Sequence, residues 1–98
     1  MSVIAVVEAP LSEKGAQDFI NWAASKDGYV VTRKHKGFEF IQTWLAEDNK
    51  TIYLHEKWAT KEDHQAYLSF RMENGFEDFV KEIVEDEFSL SYLTSEDV

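Results

Sequence analysis

Two strand-like segments decide the fold: residues 38–46 (FEFIQTWLA) and 51–58 (TIYLHEKW), joined by the polar stretch EDNK at 47–50. Both segments are rich in β-branched and aromatic residues, which favour extended backbone. A short polar connection between two such segments is typical of a β-hairpin. The middle of the chain therefore predicts an antiparallel pair of strands.

The pairing implied by this connection places large apolar side chains on both faces of the hairpin. Trp44 lies opposite Tyr53 on one face, which also carries Phe40, and Glu39 lies opposite Trp58 on the other. Successive strand residues point to opposite faces. A sheet with one solvated face should alternate cleanly between apolar and polar residues. We therefore expect a sheet that is covered on both faces.

A strand and a helix precede the hairpin. Residues 3–9 are rich in β-branched side chains and end at Pro10, which predicts a first strand. Ser12 is a suitable N-cap for a helix that runs to about residue 26. Gly28 lies where such a helix would stop.

Two helices and a strand follow the hairpin. Thr60 and Asp63 resemble a capping box that opens a helix to about residue 71. Asn74 begins another helix, whose apolar residues recur at helical spacing: Phe76, Phe79, Val80, Ile83 and Val84. Residues 88–93 form the last predicted strand. The order β-α-β-β-α-α-β predicts an α+β, ferredoxin-like fold: a four-stranded antiparallel sheet with helices on one face.

Helices on one face leave the other face of the sheet uncovered. That face would carry Phe40, Trp44 and Tyr53, a patch larger than a monomer usually exposes. Three residues of the last strand are further candidates for it: Phe88, Leu90 and Tyr92. A second copy of the same sheet would cover the patch through a symmetric contact, so we predict a homodimer. The alternative is an aromatic face that binds another protein.

Composition narrows the classes of partner. The 98 residues predict one domain, residues 1–98, with an acidic tail at 94–98. The formal net charge of −9 repels phosphate backbones, so we expect no nucleic-acid partner. No apolar run approaches the roughly 20 residues that span a bilayer, and no signal peptide is recognisable, so we expect no membrane partner. The chain has no cysteine, which is typical of a cytoplasmic protein.

Three segments in order resemble the antibiotic biosynthesis monooxygenase domain family: residues 32–40 (TRKHKGFEF), 53–58 (YLHEKW) and 61–67 (KEDHQAY). The resemblance covers nearly the whole chain. It implies a dimeric α+β barrel, in which two sheets enclose a shared interior and each subunit holds a ligand pocket between its sheet and helices. Members include cofactor-free monooxygenases of quinol-like or polyketide aromatics, haem-degrading enzymes, and isomerases of small sugar-like signals.

The resemblance also implies candidate catalytic residues. Trp58 matches a tryptophan that lines the pocket in the oxygenase branches, although it can equally be a core residue. Tyr67 occupies a position where relatives often have histidine; with an ordinary pKa of about 10 it can bind a phenolic substrate but is a poor base. His64 lies one turn earlier, on the same side of the helix as Tyr67 and Arg71, and is either the titratable group or a solvent-facing histidine.

Glu8 is a fourth candidate and a departure from the family. It matches a position near the end of the first strand where the haem-degrading branch has asparagine, so the change argues against haem degradation. A carboxylate in an apolar setting would have a raised pKa and act as a base. The alternative is that Glu8 leaves the strand and meets solvent.

No cofactor or metal site is expected. The three histidines lack metal-ligand spacing, and no phosphate-binding or dinucleotide motif is present. A cofactor-independent monooxygenase would take the electrons for oxygen activation from a small electron-rich aromatic substrate. Two alternatives remain on the same scaffold: a non-redox isomerase, in which Glu8 or His64 moves protons, and a non-catalytic ligand-binding or stress-related dimer.

Overall fold

The computed structural model describes residues 2–98 and confirms the ferredoxin-like fold. Its sheet has the order β2-β3-β1-β4, and every neighbouring pair is antiparallel. The short helix α2 was not predicted. The elements are β1 (Val3–Pro10), α1 (Glu13–Ala24), α2 (Tyr29–Thr32), β2 (Phe38–Leu45), β3 (Thr51–Trp58), α3 (Lys61–Glu73), α4 (Phe76–Ile83) and β4 (Ser89–Leu93).

The hairpin has the predicted register over most of its length. Trp44 pairs with Tyr53, and Phe40 pairs with Lys57. A β-bulge between Phe38 and Phe40 breaks the register, so Phe38, not Glu39, lies opposite Trp58. The predicted pair of Glu39 and Trp58 is therefore wrong. The extra residue places the Phe38 ring against the Trp58 ring, with the ring centroids 5.5 Å apart.

The predicted N-caps Ser12 and Thr60 are confirmed. The Ser12 hydroxyl accepts a hydrogen bond from the Gly15 N–H at 2.9 Å, and the Thr60 hydroxyl accepts one from the Asp63 N–H at 3.0 Å. The predicted N-cap Asn74 is wrong, because Asn74 ends α3 and its side-chain amide donates to the Phe70 carbonyl. Gly75, with a φ of 88°, instead precedes α4.

Helix α1 also ends earlier than predicted. Its last residue is Ala24, and both the backbone N–H and the hydroxyl of Ser25 donate to the Trp22 carbonyl oxygen. These two bonds satisfy an end carbonyl of the helix before the chain reaches Gly28. Gly28 instead precedes α2. The chain therefore has a short connection at 25–28, and the carbonyl oxygens of Asp27 and Gly28 in it accept hydrogen bonds from Arg71.

The helices cover one face of the sheet, and the core lies between the sheet and the helices. Strand β1 contributes Ala5 and Ala9 to this face, while β3 contributes Ile52 and Trp58. The main core cluster joins sheet and helix residues: Ala9, Leu11, Ala16, Phe19, Ala23, Tyr29, Ile52 and Ile83. Within residues 2–98, no helix is long and apolar enough to cross a lipid bilayer.

The other face of the sheet is uncovered in the single chain. We call it the open face; Phe40, Trp44 and Tyr53 lie on it and are 43%, 56% and 37% exposed. The three further candidates from the end of the chain were predicted wrongly. Tyr92 pairs with Ala5 and Leu90 with Val7, so both belong to the helix-covered face. Phe88 precedes β4 and packs against the core.

Candidate active site

A cavity of about 200 Å³ lies between the helix-covered face of the sheet and the helices. Most of its wall is apolar, with strand residues on one side and aromatic residues of α1 and α4 on the other. Four polar side chains interrupt this wall: Tyr29, Glu56, Tyr67 and Arg71. An apolar cavity with a few convergent polar groups is the usual form of a small-molecule site.

Glu56 is the carboxyl group of this cavity. It lies two residues from Leu54 and two residues from Trp58 along β3. Because side chains two residues apart on a strand point to the same face, all three point toward the helices. Glu56 is only 3% exposed, and the Trp58 indole N–H donates to its Oε1 at 3.0 Å. Burial raises the pKa of Glu56 from its ordinary 4.5 to about 7. A carboxyl group with this pKa can accept and release a proton near neutral pH.

His64 lies beside Glu56 and is fully buried. Its Nδ1 is 2.7 Å from the Tyr92 hydroxyl, and its Nε2 is 3.6 Å from Glu56 Oε1. Burial lowers the pKa of His64 from its ordinary 6.5 to about 4. Because burial disfavours both charges, the two residues form a neutral pair between about pH 4 and pH 7, with the proton on the carboxyl group.

Tyr67 and Arg71 form the cationic side of the cavity. The Tyr67 ring stacks on the Trp58 ring with centroids 5.2 Å apart. The Tyr67 hydroxyl accepts a hydrogen bond from Arg71 Nε at 2.7 Å and shares another with the Thr32 hydroxyl at 2.7 Å. Burial raises the pKa of Tyr67 above its ordinary value, although Thr32 and Arg71 oppose the rise. The phenol is therefore a neutral hydrogen-bonding group at neutral pH.

Arg71 connects this side of the cavity to the backbone. Its terminal nitrogens donate to the carbonyl oxygens of Asp27 and Gly28, both at 2.9 Å, and to the Thr32 hydroxyl at 3.0 Å. The guanidinium also lies 4.7 Å from the centre of the Trp22 ring. Among the described residues, no carboxylate forms an ion pair with it. Arg71 thus supplies a positive charge that an anionic group in the cavity can use.

The structure brings together three of the four residues predicted from the sequence. Trp58, His64 and Tyr67 form one cluster of rings, in which Trp58 lies 5.4 Å from His64. Of the three, Tyr67 lines the cavity, whereas Trp58 and His64 contact Glu56. Glu8 is separated from them, because it pairs with Tyr53 and its exposed side chain lies on the open face.

Sequence reasoning missed the two charged groups of the cavity wall. Glu56 and Arg71 are not among the catalytic candidates that the sequence nominates, although Arg71 lies on the same side of its helix as His64 and Tyr67. The available signal was a carboxylate at an inward position of a strand, between Leu54 and Trp58. A charge at such a position is rarely buried without a partner or a function.

The neutral pair predicts how stability depends on pH. The raised pKa of Glu56 contributes stability below pH 4.5 that is lost as the pH rises to about 7. The lowered pKa of His64 contributes stability above pH 6.5 that is lost as the pH falls to about 4. Between pH 4.5 and pH 6.5 the two slopes oppose each other, because folding takes up a proton at Glu56 and releases one from His64.

Removing either partner should reveal the slope of the other. In His64→Gln the free energy of unfolding should fall by about 3 kcal/mol, relative to the wild type, as the pH rises from 4.5 to about 7 and Glu56 ionises. In Glu56→Gln it should rise by about 3 kcal/mol, relative to the wild type, as the pH rises from about 4 to 6.5 and His64 loses its proton. Urea unfolding at a series of pH values measures both. The control is His55→Gln on the open face. Parallel curves for the two buried variants would contradict the neutral pair.

Comparison with known proteins places this geometry in a recognisable fold. No protein-family model matches the chain, and no curated protein matches it. Solved structures do match it, and three of them serve as examples. A monooxygenase of the gene ActVA-Orf6 of Streptomyces coelicolor, in complex with nanaomycin D, has a TM-score of 0.82 at 11% identity, over 99% of this chain and 89% of that one.

A proposed antibiotic biosynthesis monooxygenase from Nitrosomonas europaea has a TM-score of 0.75 at 15% identity, over 96% of this chain and 89% of that one. A dimeric ferredoxin-like protein from an uncultured marine organism has a TM-score of 0.71 at 14% identity, over 99% of this chain and 91% of that one. At such identities the likeness shows the fold alone. The fold of the single chain is the ferredoxin-like one that the resemblance to antibiotic biosynthesis monooxygenases implies.

Proposed function

We propose that this chain is a cofactor-independent monooxygenase of the antibiotic biosynthesis type, acting on a small quinol-like or polyketide aromatic in the helix–sheet cavity. The observation that carries the proposal is Glu56, a carboxyl group in an apolar cavity whose pKa burial raises to about 7. Oxidation of such an aromatic by O₂ begins with loss of a proton, and a base that titrates near neutrality suits this step. The shared fold with a monooxygenase supports the reaction class.

The residues of the cavity have distinct roles in this reaction. Glu56 removes a proton from the substrate, and Tyr67 and Arg71 stabilise the negative charge that develops on the substrate oxygen. The resulting anion gives its electrons to O₂, and a carbon–oxygen bond forms. For an anthrone, loss of water then converts the ring CH₂ and O₂ into a carbonyl group and H₂O. The apolar wall holds the substrate and limits access of water.

The volume of the cavity limits the substrate. Pockets for drug-sized ligands measure roughly 300–1,000 Å³, whereas this cavity measures about 200 Å³. We therefore propose a compact substrate of at most three fused rings that carries a hydroxyl or keto group. The hydroxyl or keto oxygen would face Tyr67 and Arg71, and the reacting position would face Glu56.

Oxygen consumption tests the proposal. The purified protein is incubated with a panel of menadiol-type quinols and anthrones, in air and under nitrogen, with bovine serum albumin as a protein control for autoxidation. We expect protein-dependent O₂ uptake and a product that has gained one oxygen atom from O₂ for at least one compound, and neither under nitrogen. Absence of protein-dependent uptake across the panel would count against a monooxygenase.

A proton-transfer isomerase is the second candidate, and one observation favours it. The adjacent Glu56 and His64 can deliver and remove protons without any oxidant. The two candidates differ in their need for oxygen. Turnover that persists under nitrogen and yields a product of unchanged mass would favour the isomerase.

We also propose that two copies of the chain associate through the open face. Phe40, Trp44 and Tyr53 form an exposed apolar patch there, together with Leu93, which is 49% exposed. A symmetric contact of two such faces would bury all of these side chains at once. The dimeric neighbour with the same fold supports this association.

Light scattering of a charged variant tests the dimer. At micromolar concentration the wild type should have twice the chain mass of 11.4 kDa. Trp44→Glu should give a monomer, because two carboxylates would be brought into the centre of an apolar interface. Val30→Glu is the matched control, since Val30 is an exposed apolar residue on α2. A wild type that scatters as a monomer would refute the association.

A further inference from the structure

Three polar side chains lead from the cavity to the edge of the sheet. Glu56 lines the cavity, and its Oε1 lies 3.6 Å from His64 Nε2. On the other side of the imidazole ring, Nδ1 is 2.7 Å from the Tyr92 hydroxyl. Glu56 and His64 are buried, whereas Tyr92 is partly exposed on the edge strand β4. The imidazole thus stands between the cavity carboxyl group and a hydroxyl group near solvent.

His64 Nε2 is the buried atom of these three side chains that lacks a hydrogen-bond partner among the described residues. Such a nitrogen is costly to leave unpaired, and its distance from Glu56 is only a few tenths of an ångström beyond hydrogen-bond length. An approach closer by a few tenths of an ångström would complete the hydrogen bond.

We propose that His64 and Tyr92 relay the proton that Glu56 accepts to solvent, while His64 exchanges one neutral tautomer for the other. Before the transfer, the Glu56 O–H donates to Nε2, and the His64 Nδ1–H donates to the Tyr92 oxygen. The Glu56 proton then moves to Nε2, the Nδ1 proton moves to the Tyr92 oxygen, and the Tyr92 proton passes to water. Afterwards Nε2–H donates to the ionised Glu56, and the Tyr92 O–H donates to Nδ1.

Both end states satisfy every hydrogen-bonding group of the relay, and one proton has left Glu56. The relay rests on the proposed function only in naming Glu56 as the base; the tautomer exchange requires the three side chains alone. The surroundings of His64 and Tyr92 favour the uncharged form of both residues. Burial keeps the pKa of His64 low, at about 4, and raises the pKa of Tyr92. The other groups that face the relay are Trp58 and Tyr67 on its inner side, and Lys61 and Glu62 beside Tyr92.

Nitrogen NMR of ¹⁵N-histidine-labelled protein tests the tautomer exchange without any substrate. As the pH rises from about 5 to about 9, His64 should change from the Nδ1–H to the Nε2–H tautomer while remaining neutral. The midpoint should coincide with the titration of the Glu56 carboxyl band, assigned by infrared difference from Glu56→Gln. In Glu56→Gln the change should be absent. A single His64 tautomer throughout, or protonation of His64 near pH 7, would overturn the relay.

Kinetics of Tyr92→Phe test the last step. This change removes the hydroxyl group but keeps the ring, so we expect kcat to fall about tenfold with KM unchanged. The control is Lys61→Met, which removes the cation 5.1 Å from the Tyr92 ring and leaves the hydroxyl in place. An unchanged kcat in Tyr92→Phe would overturn the assignment of Tyr92.

The two measurements separate this inference from the proposed function. Tautomer exchange in a protein that oxidises no compound of the panel would support the relay and count against the monooxygenase. Oxygen-dependent turnover with an unchanging His64 tautomer would do the reverse.

Discussion

Glu56→Gln is expected to lower the turnover of the aromatic substrate by about 10²- to 10⁴-fold, the usual contribution of a positioned general base. Glutamine retains an oxygen that can accept the Trp58 N–H bond and occupies nearly the same volume, so the cavity should keep its shape. The loss should therefore fall on kcat, with KM nearly unchanged. Steady-state O₂ uptake with the best compound of the quinol and anthrone panel measures both constants.

Glu8→Gln is the informative comparison for this experiment. Glu8 is the strand carboxylate that the sequence nominates as a base, but its exposed side chain lies on the open face. If Glu56 is the base, Glu8→Gln should retain wild-type turnover. A large loss in Glu8→Gln with normal turnover in Glu56→Gln would assign the base to the opposite face of the sheet.

Arg71→Met is expected to cost about 3 kcal/mol of unfolding free energy, because each buried polar group left unpaired costs about 1–3 kcal/mol. The variant removes the donors to the Asp27 and Gly28 carbonyl oxygens. Tyr67 and Thr32 keep the hydrogen bond that they share. Methionine also relieves the cost of burying a cation, so the net loss should be less than the sum of the four lost bonds.

Urea unfolding measures this loss. Arg33→Met is the matched control, since Arg33 is an exposed cation at the end of α2 and should change stability by less than about 0.5 kcal/mol. A loss of that small size in Arg71→Met would show that the connection between α1 and α2 does not depend on the guanidinium.

The fold was predictable because its signals are local. Each signal depends on residues that are close together in the chain: the period of a strand, the length of a connection, or a capping residue. The structure confirms the two predicted caps, Ser12 and Thr60. The errors arise where one residue changes the phase of a strand. The bulge between Phe38 and Phe40 shifts the start of β2. Similarly, nothing in residues 88–93 indicates that Leu90 and Tyr92 face the helices, because this depends on pairing with the distant strand β1.

The candidate site was predictable in part for the same reason. Trp58, His64 and Tyr67 lie close together in the chain, and strand and helix periodicity place them on one side. The role of Arg71 depends on the carbonyl groups of Asp27 and Gly28, which are far away in sequence. Backbone acceptors leave no residue pattern, so this contact could not be read from the sequence. Glu56 carried a readable signal, namely a charge at an inward strand position.

The spacing of the hydrogen bonds around Glu56 and Arg71 has a consequence for the order of folding. Glu56, Trp58 and His64 belong to consecutive elements, so their contacts close short loops, whereas the bond from Arg71 to Asp27 joins residues 44 positions apart. Loop-closure entropy makes distant contacts slower to form. Mutations around Glu56 should therefore alter the folding rate, while mutations of Arg71 should act mainly on the unfolding rate. The acid–base half of the cavity would form before its cationic half.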